Sequence, residues 1–368
     1  MTPFKACIGS IPVNIYRRIV QFVEEGRSFA AALVLMADGS TPCEAGKRAV
    51  LDETGRIWGT IGGGQVEAEA QRRAEEVCRE GRPAVLDINL EGTSAESDSP
   101  ICGGAMRVLL DPTVAKNRSA YQRAAAALEE RHRGVLVTRI RPGSPPEVEV
   151  EWLGGDEVPP DGEFPDSEQV RSCLEDESAR LFTEGTAGEG APRMALVEPV
   201  APDPLLLIAG GGHIGQALAR QAVLIGFDVE VIDDRPEFTD PSLFPEFVRT
   251  RSAPVGEALR ARDLDDGTFV VIVTRGHRHD AEALAACVGR PAAYVGMIGS
   301  RRKVGMIREK LLDSGRVSEE DLDRVYAPIG LDIGAETVPE IATSIAAELI
   351  SIRRRGHDAP PPDHMVQR

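Results

Sequence analysis

The sequence predicts an α/β protein in which a C-terminal, Rossmann-like, doubly wound parallel sheet follows an N-terminal mixed α+β domain. Three observations lead there. Apolar runs starting at Leu205, Val229, Phe269 and Ala292 alternate with helical patterns, and each run ends in glycine or polar residues, the rhythm of parallel β–α units. Gly210-Gly211-Gly212-His213-Ile214-Gly215 fits G-x-G-x-x-G between the first run and a helical stretch, Ile214 to Ile225. Upstream of about residue 200, helix, strand and hairpin signals are mixed without that alternation.

From Asn14 to Gly26, Ile15, Ile19, Val20 and Val23 recur at helical spacing, and Glu25-Gly26 closes the segment. Phe29 to Met36 is a continuous apolar run that reads as a buried strand entering the turn Asp38-Gly39-Ser40. Ala49 to Leu51 and Arg56 to Ile61 flank a turn at 52–55 and predict a hairpin. Gly62-Gly63-Gly64 then leads into an acidic helix start, Glu67 and Glu69, running to about Glu80. A strand at Ala84 to Ile88, a polar stretch from Glu91 to Pro100 and a strand at Met106 to Leu110, opened by Ile101-Cys102-Gly103-Gly104, follow. Between Ala115 and Pro204 the signals are a helix at Ala120 to Glu130, strands near Val135 to Ile140 and Val148 to Trp152, and a Pro/Gly/acid-rich loop, with no assignable chemistry. Pro199, Pro202 and Pro204 read as a linker, giving an N-terminal domain over 1–200 with its core at about 12–112, a Rossmann domain over 201–356 and a loose tail over 357–368.

Lys and Arg number 42 against 59 Asp and Glu, and a net charge of −17 repels a phosphate backbone, so nucleic acid is not expected as a partner. The longest plain apolar stretch, Phe29 to Ala37, falls far short of the roughly 20 residues that cross a bilayer. Met1 to Val20 lacks the features of a secretory signal, which makes the cytoplasm the expected location. Six scattered cysteines form no C-x-x-C pair and no zinc spacing, so any thiol chemistry rests on single residues.

In the second domain Gly210, Gly212 and Gly215 suit a tight turn and close backbone approach, and the helix opened by His213 offers its N–H groups to a phosphate. Asp233, 18 residues beyond Gly215, stands where an acid binds ribose hydroxyls, so NAD or another dinucleotide is one ligand for this loop; pure helix–strand packing is the other reading of the glycines. Ser300, a natural N-cap, precedes the basic cluster Arg301, Arg302 and Lys303, which reads as an anion site or as a solvated helix start. His213, His277, His279 and Asp280 have the ligand types for a first-row metal, but no ligand triad is fixed by spacing and a His pair after one strand is more commonly a cap or surface feature. In the first domain Gly62, Gly63 and Gly64 again place glycines between strand and helix. A thiol at Cys102 beside Gly103 and Gly104 is sterically open and can act as a soft ligand or sulfur acceptor; burial as an inert cysteine is the alternative.

These segments resemble the XdhC/CoxI proteins, maturation chaperones of xanthine dehydrogenase and related molybdenum hydroxylases. The resemblance rests on Gly39-Ser40-Thr41-Pro42, Gly59 to Gly64 with Val66-Glu67, and Cys102-Gly103-Gly104. It continues through Gly210 to Gly215, Val231 to Pro236, Gly296 to Lys303 and Pro328 to Thr337. It implies an accessory protein without turnover of its own that binds molybdenum cofactor, shields it while a cysteine desulfurase helps exchange an oxo ligand for sulfido, and delivers it to an apo molybdenum hydroxylase. It also implies a homodimer and makes Cys102 the candidate molybdenum contact. Gln65 stands where the family often has a cysteine, and Arg275 where a histidine is frequent. The rival is an NAD-dependent oxidoreductase using the Gly210–Gly215 loop and Asp233, with His213 or His277 as proton donor. A third reading, a molybdenum hydroxylase proper, meets the objection that the sequence shows no iron–sulfur cysteine cluster and only small modules.

Overall fold

The computed structural model describes residues 14–90, 104–155, 157–160, 162–185, 191–315 and 317–356. The polar stretch 91–100, Cys102, Gly103 and the tail 357–368 lie outside the described residues. The chain divides into two compact units between Pro202 and Asp203.

The first unit opens with α1 (Ile15–Glu24), whose first turn is capped by the Asn14 side chain and whose apolar stripe buries Tyr16, Ile19 and Phe22. β1 (Phe29–Gly39), β2 (Arg48–Asp52), β3 (Ile57–Gly59), β4 (Ala84–Asn89) and β5 (Gly104–Asp111) form an antiparallel sheet in the order β3-β2-β1-β5-β4, with α2 (Gly64–Glu80) between β3 and β4. The apolar run of β1 is continuous because both faces are covered. Ala30, Ala32 and Val34 pack with Val66, Ala70 and Ala74 of α2. Ala31, Leu33 and Leu35 join Ile19 and Phe22 of α1 and Tyr121 of α3 (Arg118–Glu129).

β6 (Gly134–Arg141), β7 (Glu147–Gly154), α4 (Ser167–Glu175), β8 (Arg180–Glu184) and β9 (Arg193–Val200) follow, and their strands form a second antiparallel sheet ordered β7-β6-β9-β8. The free edge of β7 is met by the Asn117 amide, which donates to Val148 O at 3.3 Å and accepts the Val150 N–H at 3.2 Å. The Pro/Gly/acid-rich loop expected here therefore holds a helix and two strands. β9 finds its other partner, β6, far back in the chain, and α4 is set by an Asp166–Gln169 capping box. Pro199, read as linker, lies inside β9 opposite Val135; pairing with β8 ends at Val197, so the side of β9 beyond it is free where the proline needs no ladder bond.

A buried ion pair ties the two sheets together. Arg48 Nε of β2 donates to Glu198 Oε2 of β9 at 2.7 Å, and its Nη2 donates to Thr138 Oγ1 of β6 at 2.9 Å. The Tyr16 hydroxyl donates to the other Glu198 oxygen. The two charged side chains are 2% and 8% exposed.

The second unit contains β10 (Leu205–Ala209), α5 (His213–Leu224), β11 (Asp228–Asp233), β12 (Arg249–Ser252), α6 (Val255–Arg260), β13 (Thr268–Ile272), α7 (His277–Cys287), β14 (Tyr294–Met297), α8 (Arg301–Asp313), α9 (Glu319–Asp323) and α10 (Val338–Arg355). Its five strands are all parallel in the order β12-β11-β10-β13-β14, the doubly wound pattern. Leu218, Ala219, Ala342 and Ile345 of α5 and α10 pack on Leu206 and Ile208. On the opposite face Leu259, Leu284 and Ile307 of α6, α7 and α8 pack on Leu205 and Leu207. The third strand, β12, is the polar edge Arg-Thr-Arg-Ser, which carries no apolar signal. Beyond β14, Tyr326 bridges Gly296 in parallel and Ile329 N donates to Met297 O at 3.1 Å, which brings the segment after Pro328 to the carboxyl end of the sheet. Gly330 N donates to Glu348 of α10 at 3.0 Å and Ser344 Oγ to Leu331 O at 2.6 Å, anchoring that segment. Among the described residues no helix is long and apolar enough to cross a membrane.

Candidate functional site

The turn after β10 divides its glycines between two tasks. A Cβ at Gly210, where φ is +124°, would lie 2.5 Å from Val273 O just beyond β13, and one at Gly215 would lie 1.9 Å from Gly210 O, so the first lets the turn pass the neighbouring strand end and the second lets α5 close on β10. Gly212 has open space around it, and α5 begins beside it with no side-chain cap, leaving first-turn N–H groups for an anion. His213, the first residue of α5, is exposed. Gly211 is closed off by the chain itself, since a Cβ there would lie 2.1 Å from Phe238 O.

Asp233, at the end of β11, is turned inward. Its Oδ2 accepts the Gly211 N–H at 2.9 Å and Arg235 Nη2 at 3.0 Å, while Oδ1 accepts Arg235 N at 3.0 Å and Nε at 2.9 Å. The Arg235 guanidinium in turn stacks on the Phe238 ring, 3.7 Å from its centroid. The carboxylate expected to hold ribose hydroxyls is thus 3% exposed and already engaged on both oxygens. Burial pushes the Asp233 carboxyl up, but the Arg235 side chain and the Gly211 and Arg235 N–H groups outweigh it and hold the group below the ordinary 3.8. A depressed carboxyl contributes stability above its unfolded value and loses it as pH falls through the folded value. Asp233→Asn is therefore expected to lower the thermal midpoint of the second unit at neutral pH and to flatten its decline as the pH falls below the ordinary carboxyl value of 3.8, followed by circular dichroism.

The histidine-rich and basic segments converge on the same sheet edge, but not as a metal site. Asp280, fully buried in the first turn of α7, accepts Thr274 Oγ1 at 2.5 Å and pairs with the Lys303 ammonium. Arg275 Nη2 donates to Asp234 Oδ2 at 2.7 Å, and His277 is exposed while His279 is half-buried. Among the described residues no group of three or more His, Cys, Asp or Glu could hold a metal ion. The Ser300 side chain caps α8 by accepting Lys303 N at 3.3 Å, and Arg301 and Arg302 stand exposed in the first turn.

In the first unit Gly59, Gly62, Gly63 and Gly64 all have positive φ, from +55° to +114°, a run that only glycine adopts without strain. The organiser of this loop is Glu67, which the sequence marks as an acidic helix start and as part of the family resemblance without showing what its carboxylate holds. Its Oε1 accepts Thr60 Oγ1 at 2.6 Å, Gly63 N at 3.1 Å and Ile61 N at 3.2 Å. Gly62 is packed against Pro42 and Cys43, whereas Gly63 and Gly64 face open space at the start of the uncapped, 17-residue α2. The Cys43 thiol donates to Ile61 O at 3.1 Å, and burial pushes its pKa up; its signal in the sequence is its place directly after Thr41-Pro42. Gly104 pairs with Gly39, and a Cβ on it would lie 2.6 Å from Asp38 O and 2.7 Å from Ser40 O. The turn 38–43 thus joins the start of β5 to the glycine loop. Cys102 and Gly103, immediately before Gly104, are outside the described residues.

Fold and loops together define a two-unit Rossmann protein whose glycine loops each place an uncapped helix N-terminus in the open. The chain belongs to the XdhC and CoxI family: residues 22–89 match the XdhC and CoxI family and residues 206–349 the XdhC Rossmann domain. It is 27% identical over 342 residues to the uncharacterized protein YqeB of Escherichia coli strain K12, covering 93% of this chain and 46% of that protein, so the chain spans about half of that relative's length. A probable xanthine dehydrogenase subunit of Bacillus subtilis strain 168 is 25% identical over 347 residues, with 93% of this chain and 98% of that protein covered. The molybdenum cofactor insertion chaperone PaoD of E. coli K12 is 24% identical over 347 residues, with 92% and 88% covered. A crystal structure described as a xanthine dehydrogenase from Bacillus halodurans shares the fold, with a TM-score of 0.71 at 23% identity over 94% of this chain and 99% of that one.

Proposed function

We propose that this protein is a cytoplasmic maturation chaperone that binds molybdenum cofactor as cargo, assists its sulfuration and inserts it into a xanthine dehydrogenase-type apo-hydroxylase. The similarity to the insertion chaperone PaoD along nearly the whole chain carries this reading. The residues fit the cargo. A phosphorylated pterin needs an anion cradle, and Gly212 with the start of α5, or Gly64 with the start of α2, supplies backbone N–H groups beside open space; the Gly63 N–H is taken by Glu67. Ser300, Arg301 and Arg302 add a cap and positive charge at the sheet edge that carries Gly212. A soft dithiolene-bound metal suits a thiol, and Cys102 is the candidate contact or sulfur carrier, next to Gly103 and Gly104. A cysteine desulfurase supplies the sulfur in this reading, and the protein acts as a homodimer. The oxidoreductase alternative would need Asp233 for ribose, and that carboxylate is engaged by Gly211 and Arg235.

The test is an anaerobic titration of the purified chain with molybdenum cofactor, followed by gel filtration and metal analysis of the protein peak. Stoichiometric co-elution is expected. Folded protein without molybdenum, beside cofactor shown intact by a positive control, would sink the reading. Cys102→Ala is expected to remain folded and to lose sulfuration or cofactor retention, and normal values for both would remove the thiol from the mechanism.

A further inference from the structure

In the first unit, within the stretch between the two family matches, a cavity of about 410 Å3 runs along β7 between α3 and residues 162–164. Its size is that of a small-ligand pocket. Four arginines line it, against three glutamates, in a chain whose net charge is −17. Two of the four are committed. Arg139, only 11% exposed, donates to Phe164 O at 2.8 Å, Glu151 at 2.7 Å and Glu163 at 3.1 Å, and Arg123 Nη2 reaches both Glu157 oxygens at 2.8 and 3.0 Å. The other two are held loosely. Arg141 is half-exposed and reaches Glu147 and Glu149 at 3.4 and 3.2 Å through separate nitrogens, and Arg193, equally exposed, reaches Glu184 at 3.1 Å. Exposed single-contact pairs of this kind are weak in water, whereas a phosphate can engage each guanidinium fork through two oxygens. One aromatic ring lies in the same wall: half-buried Phe164 has its ring centre 5.9 Å from the Arg193 guanidinium carbon, while Trp152, 4% exposed, backs the lining from the core.

We propose that this cavity binds a mononucleotide, with Arg141 and Arg193 on the phosphate and Phe164 against the base. Arg139 and its three acceptors hold the wall in place. The site is separate from the glycine loops and stands or falls independently of the cargo proposed above.

The probe is AMP, titrated calorimetrically into the full chain, with inorganic phosphate as the second arm. AMP is expected to bind at one site per chain and phosphate about tenfold more weakly or less, the difference being the ring's share. Arg141→Ala and Arg193→Ala, both half-exposed positions, are each expected to weaken AMP by about tenfold, while Gly212→Ala leaves it unchanged. Absence of AMP binding, binding that both arginine variants leave intact, or binding abolished by Gly212→Ala would each overturn the proposal. Phosphate binding as tightly as AMP would overturn the ring's part in it.

Discussion

Arg48→Met is expected to destabilise the first unit by about 3–5 kcal/mol, enough to move its urea transition well below that of the second unit. The cause is not the Coulomb energy of the pair. Glu198, 8% exposed at the side chain, would remain as an uncompensated carboxylate between two sheets, with the Tyr16 hydroxyl as its remaining partner. Thr138 would lose its guanidinium partner at the same time. Arg48→Met with Glu198→Leu is expected to recover most of the loss, because replacing both members of a buried pair removes the desolvated charge altogether. If the double variant is as unstable as the single one, packing around the methionine rather than charge burial dominates. Tryptophan fluorescence reports the first unit selectively, since Trp58 and Trp152 both lie in it.

Gly215→Ala and Gly212→Ala, three residues apart, are expected to fail in opposite ways. A methyl at 215 meets backbone on Gly210 at 1.9 Å, a contact that no side-chain rotation relieves, so the variant should lose about 3 kcal/mol or more from the second unit. A methyl at 212 meets nothing within 4 Å and φ there is −67°, so that variant should unfold as the wild type does. What it should lose is access of an anion to the start of α5, weakening cofactor retention by about tenfold. Calorimetry for stability and metal analysis after gel filtration for retention separate the two effects. An unchanged retention in Gly212→Ala would move the phosphate cradle to Gly64 and the start of α2.

The second unit is the more legible in sequence because its signals are local. β10, β13 and β14 are apolar runs, β11 is apolar around the single Glu230, and the glycine loop lies where strand meets helix. β12 escapes because an edge strand of Arg-Thr-Arg-Ser needs only one paired side. In the first unit β8 and β9 escape for a different reason: β9 draws its stability from β6, some 60 residues earlier, and tolerates a proline where only one side is paired. The candidate loops are visible through their glycines and the acids through their positions, but the partners those acids take are not. Asp233 has the spacing of a ribose acceptor, and only the course of the turn from Arg235 to Phe238 shows that a guanidinium has claimed it. Cys43 gains meaning only through Ile61 and Gly62, which the fold places beside it.

Glu67 has a consequence for the rate of capture as well as for shape. A carboxylate already seated on Thr60, Ile61 and Gly63 holds four left-handed glycines in their final conformation before any ligand arrives. Ordering such a loop at the moment of association would cost about 1–2 kcal/mol for each residue frozen, and glycine has the most freedom to lose. Here that cost is met during folding. In the proposed cradle an arriving anion would meet a rigid receptor, and its residence time would depend on the contacts it makes rather than on how often the loop melts.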